Sequence, residues 1–258
     1  MADSKKNLYL FTSTFPYGSS EVFIKYEIGI LSQKFKTVFI LPSAVPAEVT
    51  KFDLPNNCNV IDIEKIELTP IIKVTTIVKS LLPALGILFN ELFFSRQKKL
   101  ASKNIKNNFY QLMALFLRAE KLKKKIVNRT DVFYTYWFSN EATMLGILKK
   151  DKSINKFGTR AHGFDLYVDN GKENYLACRE FQLKQVDLVY CVSKVGSDYL
   201  CNIYPEYEHK INWSHLGTDN NGINPFNKND LVIVTCSNIV PVKRLDLLIG
   251  ALRKVSVN

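Results

Sequence analysis

Short apolar, β-branched runs recur along this chain with helical patterns between them, and that alternation constrains the fold more than any other feature. Asn7–Thr12, Thr37–Leu41, Asn59–Ile63, Asp131–Tyr136, Lys156–Ala161, Leu188–Val192 and Lys210–His215 each read as a strand. Helical periodicity fills Glu21–Lys34, Thr69–Phe94, Lys103–Val127, Asn140–Lys149, Lys172–Gln185 and Lys194–Ile203. Pro83 is expected to kink the second of these helices. Strands alternating with helices predict an α/β fold built on a doubly wound sheet.

The 258-residue length suits one large domain or two small ones. Residues 1–217 read as a whole domain, and 218–230 as a linker containing glycine, asparagine and proline. Residues 231–258 then read as a separate β-turn-α unit. Leu231–Cys236 is predicted as a strand, and a helix from Lys243 places Leu245, Leu248, Ile249 and Leu252 on one face. A lone strand and helix cannot bury their own faces, so this unit is expected to be the incomplete start of a second domain.

Hydrophobic content of 47% with 23% charged residues is that of a globular protein with a sizeable core. The five cysteines are spread without a CxxC, as for reduced thiols, and none of the three histidines has metal-ligand spacing. No metal is therefore expected. Met1–Lys6 is polar and leads straight into a strand, unlike a secretory signal. The charge-free stretch Ser80–Asn90 falls short of the roughly 20 apolar residues a membrane span needs, so a cytoplasmic chain, at most peripheral on the membrane, is expected.

The net charge of +11 is concentrated. Arg96, Lys98, Lys99, Lys103, Lys106, Arg118, Lys121, Lys123, Lys124 and Lys125 face only Glu120 within Arg96–Lys125. The run reads either as a solvated helix face or as contact with an anionic membrane surface. The second reading draws on the apolar segment Ile71–Phe94 before it and on the interleaved Phe93, Phe94, Phe109 and Phe116. A nucleic-acid partner would use the same charge, but no nucleic-acid motif accompanies it.

In doubly wound folds ligands bind beyond the carboxyl ends of the strands. Three segments fall there: Ser13–Glu21, Tyr136–Glu141 and His162–Asp165. The first is a strand, a glycine-containing turn and a helix, with Ser19 or Ser20 as candidate N-cap. Its N–H groups suit an anion, although a tight turn at Gly18 accounts for the glycine without any ligand. His162, beside Gly163 at a strand end, reads as a crevice histidine or as one hydrogen-bonded inside its loop. His209 and His215 read as structural or surface residues.

The segments TFPYGSSEVFIKYEI, YTYWF, RAHGFDLY, DLVYCVSKVGSDYL, HLGTD and CSNIVPVKRLDLLIGAL, in this order and spacing, resemble glycosyltransferase family 4, in particular its bacterial surface-polysaccharide branch. The resemblance implies a GT-B fold of two Rossmann-like domains and retaining transfer of a sugar from a nucleotide-sugar donor to a polysaccharide or lipid-linked acceptor. It implies no metal cofactor. His162 would lie near the reacting sugar, and Gly18, Ser19, Glu21, Gly163 and Asp165 would line the cleft. Lys243 and Arg244 would neutralise the donor diphosphate, with Asn238 standing where the family usually carries arginine. The family's paired glutamates match nothing in this chain, so low turnover is expected of it alone. The alternative is a non-catalytic, acceptor-binding or membrane-docking half that works with a separate C-terminal half.

Overall fold

The computed structural model describes residues 5–18, 20–46, 51–168, 175–218, 220, 222, 233–237, 239 and 243–254. The chain divides into two compact units, Met1–Asp219 and Asn220–Asn258.

The first unit is built on a seven-stranded sheet. In chain order its strands are β1 (Leu8–Thr12), β2 (Val38–Pro42), β3 (Cys58–Val60), β4 (Val132–Thr135), β5 (Phe157–Ala161), β6 (Leu188–Cys191) and β7 (Ile211–Trp213). They lie in the order β3-β2-β1-β4-β5-β6-β7, and every neighbouring pair is parallel. This is a Rossmann-like, doubly wound α/β sheet, as the alternation of elements predicted. Between the strands run α1 (Ile24–Lys34), α2 (Pro70–Phe93), α3 (Lys98–Lys103), α4 (Ile105–Lys123), α5 (Asn140–Lys150), α6 (Arg179–Gln185) and α7 (Lys194–Ile203). Two helix starts carry the side-chain cap that their sequences allow: Thr69 Oγ1 accepts from Ile72 N, and Ser193 Oγ from Gly196 N.

Period-two alternation sorts the strand residues onto two faces. Tyr9, Phe11, Phe133, Val189 and Cys191 join the large core with residues of α4, α5, α6 and α7. Leu8, Leu10, Val38 and Ile40, with Tyr136 just past β4, pack instead on Ile24 and Ile28 of α1. Beyond α1 this second face opens into a groove of about 720 Å³. Tyr134, Gly158, Arg160, Leu188 and Tyr190 line it.

Three sequence expectations change. The helix α2 is the single element expected, but at 24 residues it is long and apolar enough by length and composition to cross a membrane; counting only the charge-free stretch underestimated it. The helical pattern Lys103–Val127 forms only over α4, and a short helix not expected from sequence, α3, precedes it across Asn104. In the second unit α8 (Leu245–Leu252) forms and none of its residues is buried, but Ile233–Cys236 is exposed and unpaired rather than a strand. An apolar run becomes a strand only when a neighbour takes its backbone hydrogen bonds, and none among the described residues does. Leu231 and Val232 lie outside the described residues.

Candidate functional site

Strand order reverses between β1 and β4, so their carboxyl ends flank the crevice where such sheets bind ligands. The loops after β1, β4 and the adjacent β5 meet there through side chains.

The loop after β1 is held from inside. Glu21 is buried, and its carboxylate accepts from Ser13 N at 2.9 Å, Thr14 N at 2.6 Å and Phe15 N at 2.7 Å. The indole Nε1 of Trp137, just past β4, donates to the same carboxylate. This corrects the reading of the loop as an open anion cradle, because its convergent N–H groups already hold an internal anion. The helix itself starts only at Ile24, with Phe23 at the cap position and no side-chain cap. Ser20 Oγ instead pairs with Thr14 Oγ1 at 2.8 Å, and Ser19 lies outside the described residues. Gly18 has φ of +69°, a left-handed conformation that favours glycine, so backbone geometry alone accounts for it. The Phe15–Pro16 peptide bond is cis.

His162 follows β5 directly and is buried. Its ring meets Trp137 edge-on at 4.2 Å between centroids, with Tyr136 at 5.5 Å and Phe23 at 5.8 Å. Neither ring nitrogen has a hydrogen-bond partner. Burial, and secondarily the nearby Arg160 guanidinium, lower its pKa to about 4, so the imidazole is neutral at pH 7. Arg160 is anchored beneath it: Nε donates to Tyr134 Oη at 2.7 Å, and Nη2 lies 3.6 Å from Glu27, which also accepts from Tyr136 Oη.

Asp165 braces this arrangement. Oδ1 accepts from His162 N at 2.5 Å and Oδ2 from Phe138 N at 2.7 Å, tying the loop after β5 to the loop after β4. Burial raises its pKa to about 6, against the opposing pull of these bonds and of Arg179. Arg179 closes the tie from α6, donating to Phe138 O at 2.9 Å and Asp165 O at 2.5 Å with its guanidinium over the Phe138 ring. Gly163 is exposed, and a Cβ there would meet nothing within 4 Å, so no close approach demands glycine. In the Tyr136–Glu141 segment, Glu141 accepts from Ser43 Oγ, Arg118 Nη1 and Ser139 Oγ, linking the end of β2 to α4 and α5.

His162, Glu21 and Asp165 thus gather around Trp137, with Gly18 in the turn between β1 and α1. Lys243 and Arg244 belong to the other unit: Lys243 is exposed, and Arg244, at φ +49°, pairs with Asp246 at 3.3 Å. Asn238 lies outside the described residues. Sequence reading flagged the segment holding Trp137 but gave the residue no role; it read Phe23 only as part of the apolar side of the first helix, and gave Arg160 and Arg179 no role. A tryptophan immediately past a strand end was the available signal; the buried arginines had none, because only the fold reveals their partners. Among the described residues no cluster of histidine, cysteine or carboxylate side chains could hold a metal ion.

The basic run Arg96–Lys125 is also different from its sequence reading. Arg96 pairs with Glu180 and Glu206, Arg118 with Glu64 and Glu141, Lys121 with Glu64, and Lys123 with Glu120 and Asp151. Among the described residues, four of its ten cations therefore meet carboxylates, most of these distant in sequence.

No protein-family model matches the chain, and no curated protein matches it in sequence. Among solved structures, OtsA in its apo state is 14% identical, with 78% of this chain and 43% of that chain covered at a TM-score of 0.39. A trehalose-6-phosphate synthase studied with bisubstrate glycomimetics is 12% identical, over 77% and 42% of the two chains, with TM-score 0.39. The α,α-trehalose 6-phosphate synthase from Burkholderia multivorans is 12% identical over 79% and 43%, with TM-score 0.40. The chain spans less than half the length of these structures.

Proposed function

We propose that this chain carries the acceptor-side domain of a retaining, nucleotide-sugar-dependent glycosyltransferase of GT-B type. The observation that carries the reading is His162: a neutral imidazole at a strand end by the switch point, both ring nitrogens unpartnered, walled by Trp137, Tyr136 and Phe23. Both nitrogens are buried, so a sugar reaches them only when the surrounding rings give way; the imidazole can then donate to one hydroxyl and accept from another, and aromatic rings suit the apolar face of a pyranose. Glu21, Asp165 and Arg179 hold the three loops that present it.

Lys243 and Arg244, with Asn238, are assigned to the donor diphosphate, where cations offset the negative charge that gathers on a leaving group. The reaction so drawn uses no metal. By the sequence resemblance the acceptor is a growing polysaccharide or a lipid-linked saccharide, and the setting is surface-polysaccharide assembly at the cytoplasmic face of the membrane.

Nucleoside diphosphate release from a panel of nucleotide sugars tests the reading, with the chain alone and with a separately produced donor domain added. Acceptor-dependent release that falls about 100-fold or more in His162→Ala is expected. Release indifferent to that substitution would remove His162 from the chemistry, and no release under any combination would sink the activity.

A further inference from the structure

The helix α2 is apolar on the side that faces away from the domain. Its inner side, including Ser80, Ala84, Ile87, Leu88 and Glu91, is buried. On the opposite side Ile71, Val78, Leu82, Leu85, Phe89 and Phe93 recur at spacings of three, four and seven residues, and all are exposed, Leu82 at 81%. Phe89 packs on Phe93 at 4.6 Å and on Phe94 at 5.9 Å, so the stripe ends in an aromatic cluster. Large apolar side chains are not left on a surface in such a row without something to cover them.

Charge decides what that is. Between Pro70 and Lys106 the sole carboxylate is Glu91, and it is buried. Over the same span Lys73, Lys79, Lys98, Lys99 and Lys106 are exposed, and none joins an ion pair among the described residues. Two copies set stripe against stripe would bring these like charges together, which disfavours self-association. An anionic bilayer takes up the apolar side chains and neutralises the lysines at the same time.

We propose that α2 lies flat on an anionic lipid surface, its outward stripe seated at the boundary of headgroups and acyl chains, with Lys79 beside the stripe and Lys98 and Lys99 past its end against the headgroups. At 24 residues the helix has the length to cross a bilayer, but its inner side carries Ser80 and Glu91 and packs on α4. It therefore lies along the surface. The basic run identified from sequence is only partly this contact, because its later residues are paired within the fold. The proposal is independent of sugar transfer.

Cosedimentation of the 258-residue chain with vesicles of phosphatidylcholine, alone or mixed with phosphatidylglycerol, tests it. Binding to the anionic vesicles only is expected, together with a blue-shifted emission for a Phe89→Trp variant when they are added. Leu82→Glu with Phe89→Glu should weaken binding by about tenfold or more, and Lys98→Gln with Lys99→Gln by roughly tenfold, the far-ultraviolet circular dichroism being unchanged in each. Equal binding to neutral and anionic vesicles, or none to either at low salt, overturns the proposal. So does a doubled solution mass that the Glu substitutions abolish in a chain that ignores vesicles, since the stripe would then be covered by a second copy.

Discussion

Glu21 shows how one residue can look like a ligand contact and serve as internal scaffolding. Its place after a Gly-containing turn was legible in the sequence; its acceptance of three main-chain N–H bonds was not, because that depends on how the loop folds back. Glu21→Ala should cost about 3–5 kcal/mol by urea denaturation, since several donors of this loop lose a charged acceptor together. A loss near zero would mean that water replaces the carboxylate. His162 and Asp165 respond to acid in opposite senses. The Asp165 carboxyl, pushed up to about 6 from an ordinary 3.8, contributes stability that is fully present below about 3.8 and lost as pH rises through 6. His162, pushed down from 6.5 to about 4, contributes stability that is present above 6.5 and lost as pH falls through 4. Relative to the parent chain, Asp165→Asn should therefore gain stability as pH rises from 4 to 6, and His162→Asn as pH falls from 6.5 to 4. Neither slope can exceed about 1.4 kcal/mol per pH unit. Denaturation series across that range check both signs, and parallel curves would place these groups in contact with solvent.

At the scale of elements, local signals gave what local physics determines. The first unit's strands and most helix positions followed from apolar periodicity, and at the start of α7 Ser193 Oγ accepts from Gly196 N as capping chemistry allows. Ser193→Ala should accordingly destabilise by about 1 kcal/mol, and a shift in the urea midpoint at constant slope is the measurement. Where the decisive partner was remote, the reading failed. Ile233–Cys236 has strand-like composition but, among the described residues, not the neighbour that makes a strand. The positive charge of Arg96, Arg118, Lys121 and Lys123 was plain in the sequence, but Glu64, Glu141, Asp151, Glu180 and Glu206, which face it, come from other elements. α2 falls between these cases: its apolarity was legible, but which side would be buried against the domain was not.

For the whole molecule, alternating strands and helices dictated a doubly wound sheet, whereas the order of its strands had to come from the structure. The crevice exists because the chain builds outward from β1 to β3 and then returns to place β4 on the other side of β1. That return also sets a schedule. Leu8 pairs with Val132, so β1 leaves the ribosome with its central neighbour still unmade. At ordinary elongation rates the wait is roughly ten seconds. Until it ends, the one strand of the sheet that is buried at every position in the fold has β2 on one side and an open edge on the other, and the nascent chain depends on whatever shields that edge.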